Sequence, residues 1–221
     1  MPTPEAIIFD LDGVIIETDE YHYRSWQRLA DEEGIPFDRA ANDDLRGLTR
    51  RASLLKLLKG RVISEDQMQA WMERKNAYYL DYMGRFTPDD LQPGVGEFLR
   101  AAKAKGLKIG LASASQNARP ILHLLQINDL FDAVGDAFSV PNPKPASDLF
   151  IWVAGRLNVN PARVIVVEDS EAGIEAALRA GMLTIGLGSG ERLAKAHLVY
   201  ARLSAACLEE ALNHLTRVQS S

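Results

Sequence analysis

The chain has 221 residues, of which 47% are hydrophobic and 25% charged, which suits one sizeable globular unit or a core domain with a smaller insert. Its net charge of −5 gives no general attraction to a polyphosphate backbone and argues against a nucleic-acid partner, although a small anion could bind where lysines and arginines converge. No apolar run approaches the ~18 residues that span a bilayer, and the first residues lack the features of a signal peptide. We therefore expect a cytoplasmic protein with no membrane partner.

The first predicted element is a strand over residues 6–10, AIIFD, which ends in two aspartates one residue apart, Asp10 and Asp12. Side chains alternate along a strand, so these two could point to the same side if the extended geometry continues past the strand end. Two neighbouring carboxylates repel each other at neutral pH unless a cation or a shared proton relieves them. A divalent metal ion is the predicted partner of this pair.

Residues 15 to 88 show no convincing strand pattern. Three periodic runs predict helices over residues 20–34, 49–60 and 64–84, and Trp26, Trp71 and Tyr78 are expected to pack in their core. Polar and proline-containing segments at 17–19 and 87–94 interrupt the pattern on either side. The sequence therefore predicts a helical domain, residues 17–90, inserted into a core domain made of residues 1–16 and 91–221.

The rest of the chain alternates between helical and strand patterns. Continuous apolar runs predict strands at KIGLAS (108–113), RVIVVED (163–169) and LTIGL (183–187), and FDAVGDAF (131–138) is a weaker fifth candidate. The segments GVGEFLRAAKAKG, SDLFIWVAGRLNV and EAGIEAALRAG between them have helical periodicity. Runs that are apolar throughout are typical of strands covered on both faces. The predicted fold class is α/β, with a doubly wound, mostly parallel sheet.

A second acidic pair, Glu168 and Asp169, ends the strand predicted at 163–169. Doubly wound sheets bind ligands beyond the carboxyl ends of their strands, where the strand order reverses. If this strand and the first one flank that point, four carboxylates converge there. A single acidic residue after a strand is often a turn former or helix cap, but two such pairs favour a metal site. Oxygen ligands suit Mg²⁺ better than Zn²⁺, and Mg²⁺ commonly works with phosphate.

Four segments, in this order, resemble the motifs of the haloacid dehalogenase superfamily of phosphotransferases. They are FDLDGV (9–14), LASAS (111–115), PKPASDLF (143–150) and VEDSEAGIEAA (167–177). The resemblance covers essentially the whole chain and implies a Rossmann-like core with an inserted helical-bundle cap. Within the superfamily, EYHYRSW (20–26), GLTRRAS (47–53), RKN (74–76) and SASQN (113–117) are similar to segments of the β-phosphoglucomutase family.

The resemblance also implies roles for individual residues. Asp10 would be the nucleophile that forms an aspartyl phosphate, and Asp12 the general acid and base. Mg²⁺ would be held by Asp10, the main-chain carbonyl of Asp12, Glu168 and Asp169. The transferring phosphoryl group would be bound by Ser113, Ala114 and Lys144.

The helical segments would supply the remaining contacts. A mutase needs a second anion site for the phosphate that is not reacting, and Arg50, Ser115 and Asn117 match such a site. His22 and Lys75 would reach the reaction centre from the cap. Residues that match hinge or sugar-orienting positions are Thr18, Gly47, Ser53 and Asn76. Gln116 stands where the family commonly has lysine, which lowers the positive charge near the second anion site.

The favoured function is a β-phosphoglucomutase, which interconverts β-D-glucose 1-phosphate and β-D-glucose 6-phosphate through β-glucose 1,6-bisphosphate and uses Mg²⁺. The expected partners are a sugar phosphate and this bisphosphate, and the chain is expected to be a monomer. One alternative is a phosphatase that passes the phosphoryl group to water. The other, a non-catalytic sugar-phosphate sensor, predicts the loss of a chemical residue, and Asp10, Asp12, Lys144 and Asp169 are all present.

Overall fold

The structure, a computed structural model, describes residues 3–188 and 192–218, with side chains described through residue 213. A six-stranded sheet lies at its centre, with every neighbouring pair of strands parallel and the order β3-β2-β1-β4-β5-β6. The strands are β1 (Ala6–Phe9), β2 (Lys108–Ala112), β3 (Ala133–Gly135), β4 (Val164–Glu168), β5 (Leu183–Leu187) and β6 (Leu198–Tyr200). The prediction of an α/β fold with a doubly wound parallel sheet is confirmed.

The sixth strand, β6, is absent from the sequence-based prediction. It has three half-buried residues, Leu198–Tyr200, at the edge of the sheet beside β5. A run this short shows no recognisable period, because one apolar triplet fits a strand, a turn or a helix end equally well. Only its pairing with β5 defines it as a strand.

Both faces of the sheet are covered, which explains the continuous apolar runs. Ile7 and Phe9 of β1 belong to one apolar cluster, together with residues of the three helices that cover this face and with Tyr79. Ala6 and Ile8 belong to a second cluster on the other face. The helices of the first face are α5 (Val95–Ala104), α6 (Ala118–Leu124) and α9 (Ala205–Val218), and those of the second are α7 (Asp148–Leu157) and α8 (Glu171–Arg179).

Four helices lie between β1 and α5: α1 (Asp19–Glu32), α2 (Arg39–Asp43), α3 (Arg50–Leu58) and α4 (Glu65–Met83). They have an apolar core of their own, which includes Trp26 and Trp71 as expected. The expectation for Tyr78 is wrong: its hydroxyl is paired with exposed Glu32, and the neighbouring Tyr79 is the buried tyrosine, 1% exposed. Adjacent positions on a helix differ by 100°, so a shift of one residue moves a side chain from solvent to core.

The two connections between these helices and the sheet run side by side. Ile16 forms an antiparallel bridge with Leu91, and the Gln92 N–H donates to the carbonyl of Ile15 at 2.9 Å. This pairing supports a boundary near residues 16 and 91. The division into two domains stays a prediction, and residues 17–90 are called the cap below. Within the described part of the chain, no helix is both long enough and apolar enough to cross a membrane.

Candidate active site

The carboxyl ends of β1 and β4 meet at the centre of the sheet, where the strand order reverses. The two strands are parallel neighbours with Phe9 opposite Val167, so Asp10 and Glu168 leave the sheet at the same edge. Doubly wound sheets bind their ligands at this position. The structure therefore brings together the two acidic pairs from distant parts of the chain.

Three buried carboxylates form a potential metal site. Asp10, Glu168 and Asp169 each offer an oxygen within 4.8 Å of the others. Glu168 already accepts three hydrogen bonds: its Oε2 accepts from the N–H and Oγ of Ser170 at 2.9 and 2.8 Å, and its Oε1 accepts from Lys144 at 2.5 Å. An all-oxygen donor set fits Mg²⁺. Asp10 and Asp169 are the better placed direct ligands, and ligation by Glu168 stays a prediction.

Lys144 lies beneath this cluster and is fully buried. Its Nζ donates to Asp10 Oδ1 at 2.6 Å, to Glu168 Oε1 at 2.5 Å and to the carbonyl of Ala112 at 3.0 Å. Burial by itself would lower the pKa of Lys144, but the two carboxylates outweigh it and raise the pKa above the usual value. The lysine is therefore a permanent positive charge beside the predicted nucleophile.

One lysine does not compensate all of the negative charge. Burial raises the pKa of Asp10 well above its ordinary value, Lys144 lowers it, and the neighbouring carboxylates raise it again. Burial and the charge of Glu168 raise the pKa of Asp169 to about 7. Carboxylates that resist ionisation in this way need more positive charge nearby, which a divalent cation would provide.

Two glycines of the sequence motifs, Gly13 and Gly173, lie so close to these carboxylates that no side chain would fit there. A Cβ on Gly173 would lie 1.8 Å from Glu168 Oε1, and one on Gly13 would lie 2.2 Å from Asp169 Oδ2. Gly13 also has φ of +76°, which side chains other than glycine adopt with difficulty. Both residues were absent from the predicted site, although each lies within a motif that identified it.

A second cluster surrounds Asp12. Its Oδ1 accepts from Thr18 Oγ1 at 2.5 Å and lies 3.5 Å from His22 Nε2, while Lys75 Nζ lies 2.9 Å from His22 Nδ1. When Lys75 is protonated it can only donate, so in that state Nδ1 accepts and the imidazole carries its proton on Nε2, directed at Asp12. Burial raises the pKa of Asp12, but the hydrogen bonds from His22 and Thr18 outweigh it and the pKa lies below its ordinary value. Asp12 is thus held ionised.

Lys75 is 3% exposed, and burial together with the charge of Arg50 lowers its pKa from 10.5 to about 7. Between pH 7 and pH 10.5 this lysine is protonated in the unfolded chain but not in the folded chain, so the free energy of unfolding rises with pH. The destabilisation caused by burying the protonated lysine is therefore largest below about pH 7. Lys75→Met should therefore increase the free energy of unfolding at pH 7 by about 1–3 kcal/mol, while the gain should vanish towards pH 10. Urea unfolding at both pH values measures the change.

The exposed Lys59 provides the control for this experiment, because Lys59→Met removes the same charge without a buried ammonium. It should change stability by less than about 0.5 kcal/mol at either pH. A Lys75→Met variant that is less stable than the parent at pH 7, or whose gain is the same at both pH values, would contradict the prediction.

The predicted second anion site is assembled around Asn76 of α4. Asn76 Oδ1 accepts from Arg50 Nη2 at 2.7 Å and from Asn117 Nδ2 at 2.9 Å, so α3, α4 and the loop after β2 meet at one amide oxygen. Ser115 supports this loop, since its Oγ accepts from the Asn117 N–H at 3.1 Å. Burial lowers the pKa of Arg50. Among the residues that the structure describes, this partly buried guanidinium is hydrogen-bonded to a neutral amide and to no carboxylate, which suits an anionic ligand.

Both clusters line one cleft between the cap and the sheet, with a volume of about 100 Å³. Ligand pockets are usually several times larger, about 300–1,000 Å³, so the cap must move to admit a substrate of hexose size. Ser113, Lys144 and Glu168 lie beneath the cleft and are buried. The other predicted residues line it: Asp10, Asp12, Thr18, His22, Gly47, Arg50, Ser53, Lys75, Asn76, Ala114, Ser115, Asn117 and Asp169.

Sequence reasoning missed several residues of this cleft. Trp26, which the sequence predicts to pack only in the helix core, also lines the cleft, and Lys75 Nζ lies 4.9 Å from its ring centroid. Arg46, in the loop before α3, contacts Asp169. No periodic or motif signal marks Arg46, because its partner lies far away along the chain.

Comparisons with known proteins show the family to which the chain belongs. Residues 4–181 match the profile of a family described as haloacid dehalogenase-like hydrolase. The chain is 42% identical over 209 residues to a β-phosphoglucomutase of Bacillus subtilis (strain 168), which covers 93% of this chain and 92% of the relative. It superimposes on a crystal structure of β-phosphoglucomutase from Clostridium difficile with a TM-score of 0.95 and 38% identity, over 99% of this chain and 100% of the other.

A phosphatase is also among the relatives. The chain is 30% identical over 217 residues to a phosphorylated carbohydrates phosphatase of Thermotoga maritima, which covers 97% of this chain and 99% of the relative. The similar proteins thus include enzymes whose names denote transfer to a sugar and an enzyme whose name denotes transfer to water.

Proposed function

The chain belongs to the haloacid dehalogenase-like hydrolase family, and we propose that it acts as a β-phosphoglucomutase. The proposed reaction interconverts β-D-glucose 1-phosphate and β-D-glucose 6-phosphate through the 1,6-bisphosphate. The observation that supports the proposal is that Arg50, Asn76 and Asn117 converge in the same cleft as Asp10, and we propose that they form a second anion site. A phosphatase needs one phosphate site, whereas a bisphosphate that reacts at either end needs two.

In the proposed reaction Asp10 attacks phosphorus and becomes an aspartyl phosphate. A carboxylate is a weak nucleophile, so the phosphoryl oxygens must be neutralised by fixed positive groups. Lys144 Nζ lies 2.6 Å from Asp10 Oδ1, so its positive charge is close to the proposed phosphoryl position. The loop of Ser113 and Ala114 is proposed to donate hydrogen bonds to the same phosphoryl group. A Mg²⁺ ion would add positive charge at the phosphoryl oxygens, and the residues proposed to hold it are Asp10, Asp12, Glu168 and Asp169.

Asp12 is proposed to move the proton. It would give a proton to the sugar oxygen that leaves phosphorus, and accept one from the hydroxyl that attacks the aspartyl phosphate. Its lowered pKa keeps it ionised and able to accept. His22 and Thr18 hold the carboxylate in place, since both contact Oδ1. Thr18 is fully buried, so water does not compete for this hydrogen bond.

The closed cleft supports transfer to a sugar rather than to water. Exclusion of solvent preserves an aspartyl phosphate until a hydroxyl is held in line with it. His22 and Lys75 lie in the cap, so they complete the site around Asp12 only while the cap covers the sheet edge. Ser53 and Gly47, which also line the cleft from the cap, are proposed to contact the sugar.

The product distribution tests the proposal. The purified protein is given β-D-glucose 1-phosphate, Mg²⁺ and a catalytic amount of the bisphosphate, and the products are followed by ³¹P NMR. We expect glucose 6-phosphate to form far faster than inorganic phosphate. Inorganic phosphate as the main product would overturn the mutase and establish the phosphatase.

Arg50→Ala tests the second anion site. Loss of a charged contact to the distal phosphate should lower kcat/KM for β-D-glucose 1-phosphate about 100-fold. Hydrolysis of acetyl phosphate, which has no second phosphate, should change less than about threefold. Arg51→Ala is the control, since Arg51 is exposed and paired with Glu65, and it should leave both activities unchanged. An equal loss in both reactions would show that Arg50 acts on the reacting phosphate instead.

A further inference from the structure

Tyr79 of α4 lies behind the two cap residues that surround Asp12. Its ring is stacked on the imidazole of His22, with the ring centroids 4.3 Å apart and an angle of 19° between the planes. Lys75, one helical turn earlier on α4, places its Nζ 5.1 Å from the centroid of the same ring. Tyr79 is 1% exposed, and it is not among the described residues that line the cleft. From this position Tyr79 can act on a bound substrate only through its neighbours.

The polar contacts of His22 fix two of its atoms but leave the plane of its ring without support. Nδ1 lies 2.9 Å from Lys75 Nζ, and Nε2 lies 3.5 Å from Asp12 Oδ1. The last torsion of a histidine side chain is soft, so the ring could tilt while both contacts stay within reach. Stacking on a flat, rigid aromatic face opposes this tilt, and such a pair contributes roughly tenfold to an equilibrium. Tyr79 therefore favours the orientation in which Nε2 is directed at Asp12.

The ring of Tyr79, rather than its hydroxyl, carries this role. The hydroxyl is buried and has no hydrogen-bond partner among the described residues, although Thr18 lies close enough to affect its pKa. The ring face, by contrast, meets both an imidazole and the ammonium of Lys75, and an aromatic face attracts a cation that is withdrawn from water. A second ring, that of Trp26, lies 4.9 Å from the same ammonium nitrogen. The two rings thus hold Lys75 beside His22.

We propose that Tyr79 is a positioning residue for the transfer reaction, since its ring holds His22 in the orientation that fixes the carboxylate of Asp12. The inference rests on the proposed function, in which Asp12 exchanges a proton with the sugar oxygen. A small rotation of this carboxylate would move its oxygen away from the path of the proton, and proton transfer requires contact at hydrogen-bond distance. Other groups of the cleft bind the substrate, so loss of Tyr79 should affect kcat rather than KM.

Steady-state kinetics with β-D-glucose 1-phosphate test this role. Tyr79→Leu removes the aromatic face and should lower kcat about tenfold, while KM should change less than about threefold. Tyr79→Phe keeps the face, so its kcat should stay within about twofold of the parent value. Tyr78→Leu is the control at the adjacent position, where the tyrosine hydroxyl is paired with exposed Glu32, and it should behave like the parent.

A double-mutant cycle shows whether Tyr79 acts through His22. In a His22→Gln background there is no imidazole to orient, so Tyr79→Leu should lower kcat by less than a further factor of about two. Formation of the aspartyl phosphate from acetyl phosphate gives a second comparison, because acetate leaves phosphorus without a proton from Asp12. Tyr79→Leu should change the rate of that step less than about twofold.

The orientation of His22 is also measured without substrate or turnover, so failure of this inference is distinct from failure of the mutase proposal. ¹⁵N NMR of the histidine side chains is recorded near pH 6, where Lys75, with a pKa of about 7, is mostly protonated. His22 of the parent and of Tyr79→Phe should be a single tautomer with its proton on Nε2. Tyr79→Leu should give a mixture of the two tautomers, and His22→Gln identifies the signal.

An equal loss of kcat for Tyr79→Leu in the parent and in the His22→Gln background would overturn the inference, because it would indicate a general disturbance of the cap. A loss in Tyr79→Phe as large as that in Tyr79→Leu would also overturn it, because the role would then belong to the hydroxyl. A parent-like tautomer of His22 in Tyr79→Leu would contradict it whether or not the protein is a mutase. Should Tyr79→Leu fail to fold, Tyr79→Met, whose unbranched side chain adapts to irregular space, replaces it in every comparison.

Discussion

Asp10→Asn should leave the protein folded and reduce phosphoryl transfer by at least about four orders of magnitude. Asparagine has nearly the same shape as aspartate, but its amide does not attack phosphorus. The change also removes one of several mutually repelling carboxylates, while Lys144 keeps its contacts with Glu168 and the carbonyl of Ala112. Stability at pH 7 should therefore be equal to or greater than that of the parent.

Mass spectrometry of the acid-quenched protein provides the direct measurement. The parent, incubated with the bisphosphate, should gain one phosphoryl group on the peptide that contains Asp10, and Asp10→Asn should gain none. Asp66→Asn, at an exposed position of α4, should behave like the parent. A phosphoryl group found on another side chain, or more than about one per cent residual activity in Asp10→Asn, would refute Asp10 as the nucleophile.

The second large effect is expected on stability. Lys144→Met should reduce the free energy of unfolding by about 3–5 kcal/mol, because removal of one partner leaves buried charges without compensation. Lys144 is 2% exposed, and it contacts both Asp10 and Glu168. Urea unfolding at pH 7.5 measures the loss. The control is Lys103→Met: the Lys103 pair with Asp132 is partly exposed, so its loss should cost no more than about 1 kcal/mol.

The loss should depend on pH with a definite sign. The pKa of Asp10 is already raised in the parent, and Lys144 is the group that opposes this rise. Without the lysine the folded state holds protons that the unfolded chain releases, so stability must fall as pH rises above the ordinary carboxylate value. We expect the deficit to be largest near pH 8 and smaller near pH 5. A deficit that does not change over this range would show that lost packing, rather than uncompensated charge, is responsible.

The sequence by itself determined the fold class and the position of the acidic cluster that we propose as the reaction centre. β1 faces two apolar clusters, so every residue from Ala6 to Phe9 is apolar, and this pattern is characteristic of a sheet covered on both sides. Asp10 and Glu168 are found at the ends of such strands, and parallel strands bring their carboxyl ends to one edge. Local patterns of this kind are readable because each depends only on residues close together in the chain.

Only the tertiary structure decided which groups contact each other across the cleft. Arg46 pairs with Asp169, Asn76 joins Arg50 to Asn117, and both oxygens of Glu168 are occupied by Lys144 and Ser170. The sequence also failed to predict β6, and it predicted burial of Tyr78 instead of Tyr79, because both features depend on contacts between distant segments. Side-chain pairing between distant segments depends on how the cap docks on the sheet, to within a few ångströms and a fraction of a helical turn, and neither periodicity nor motif spacing contains that information.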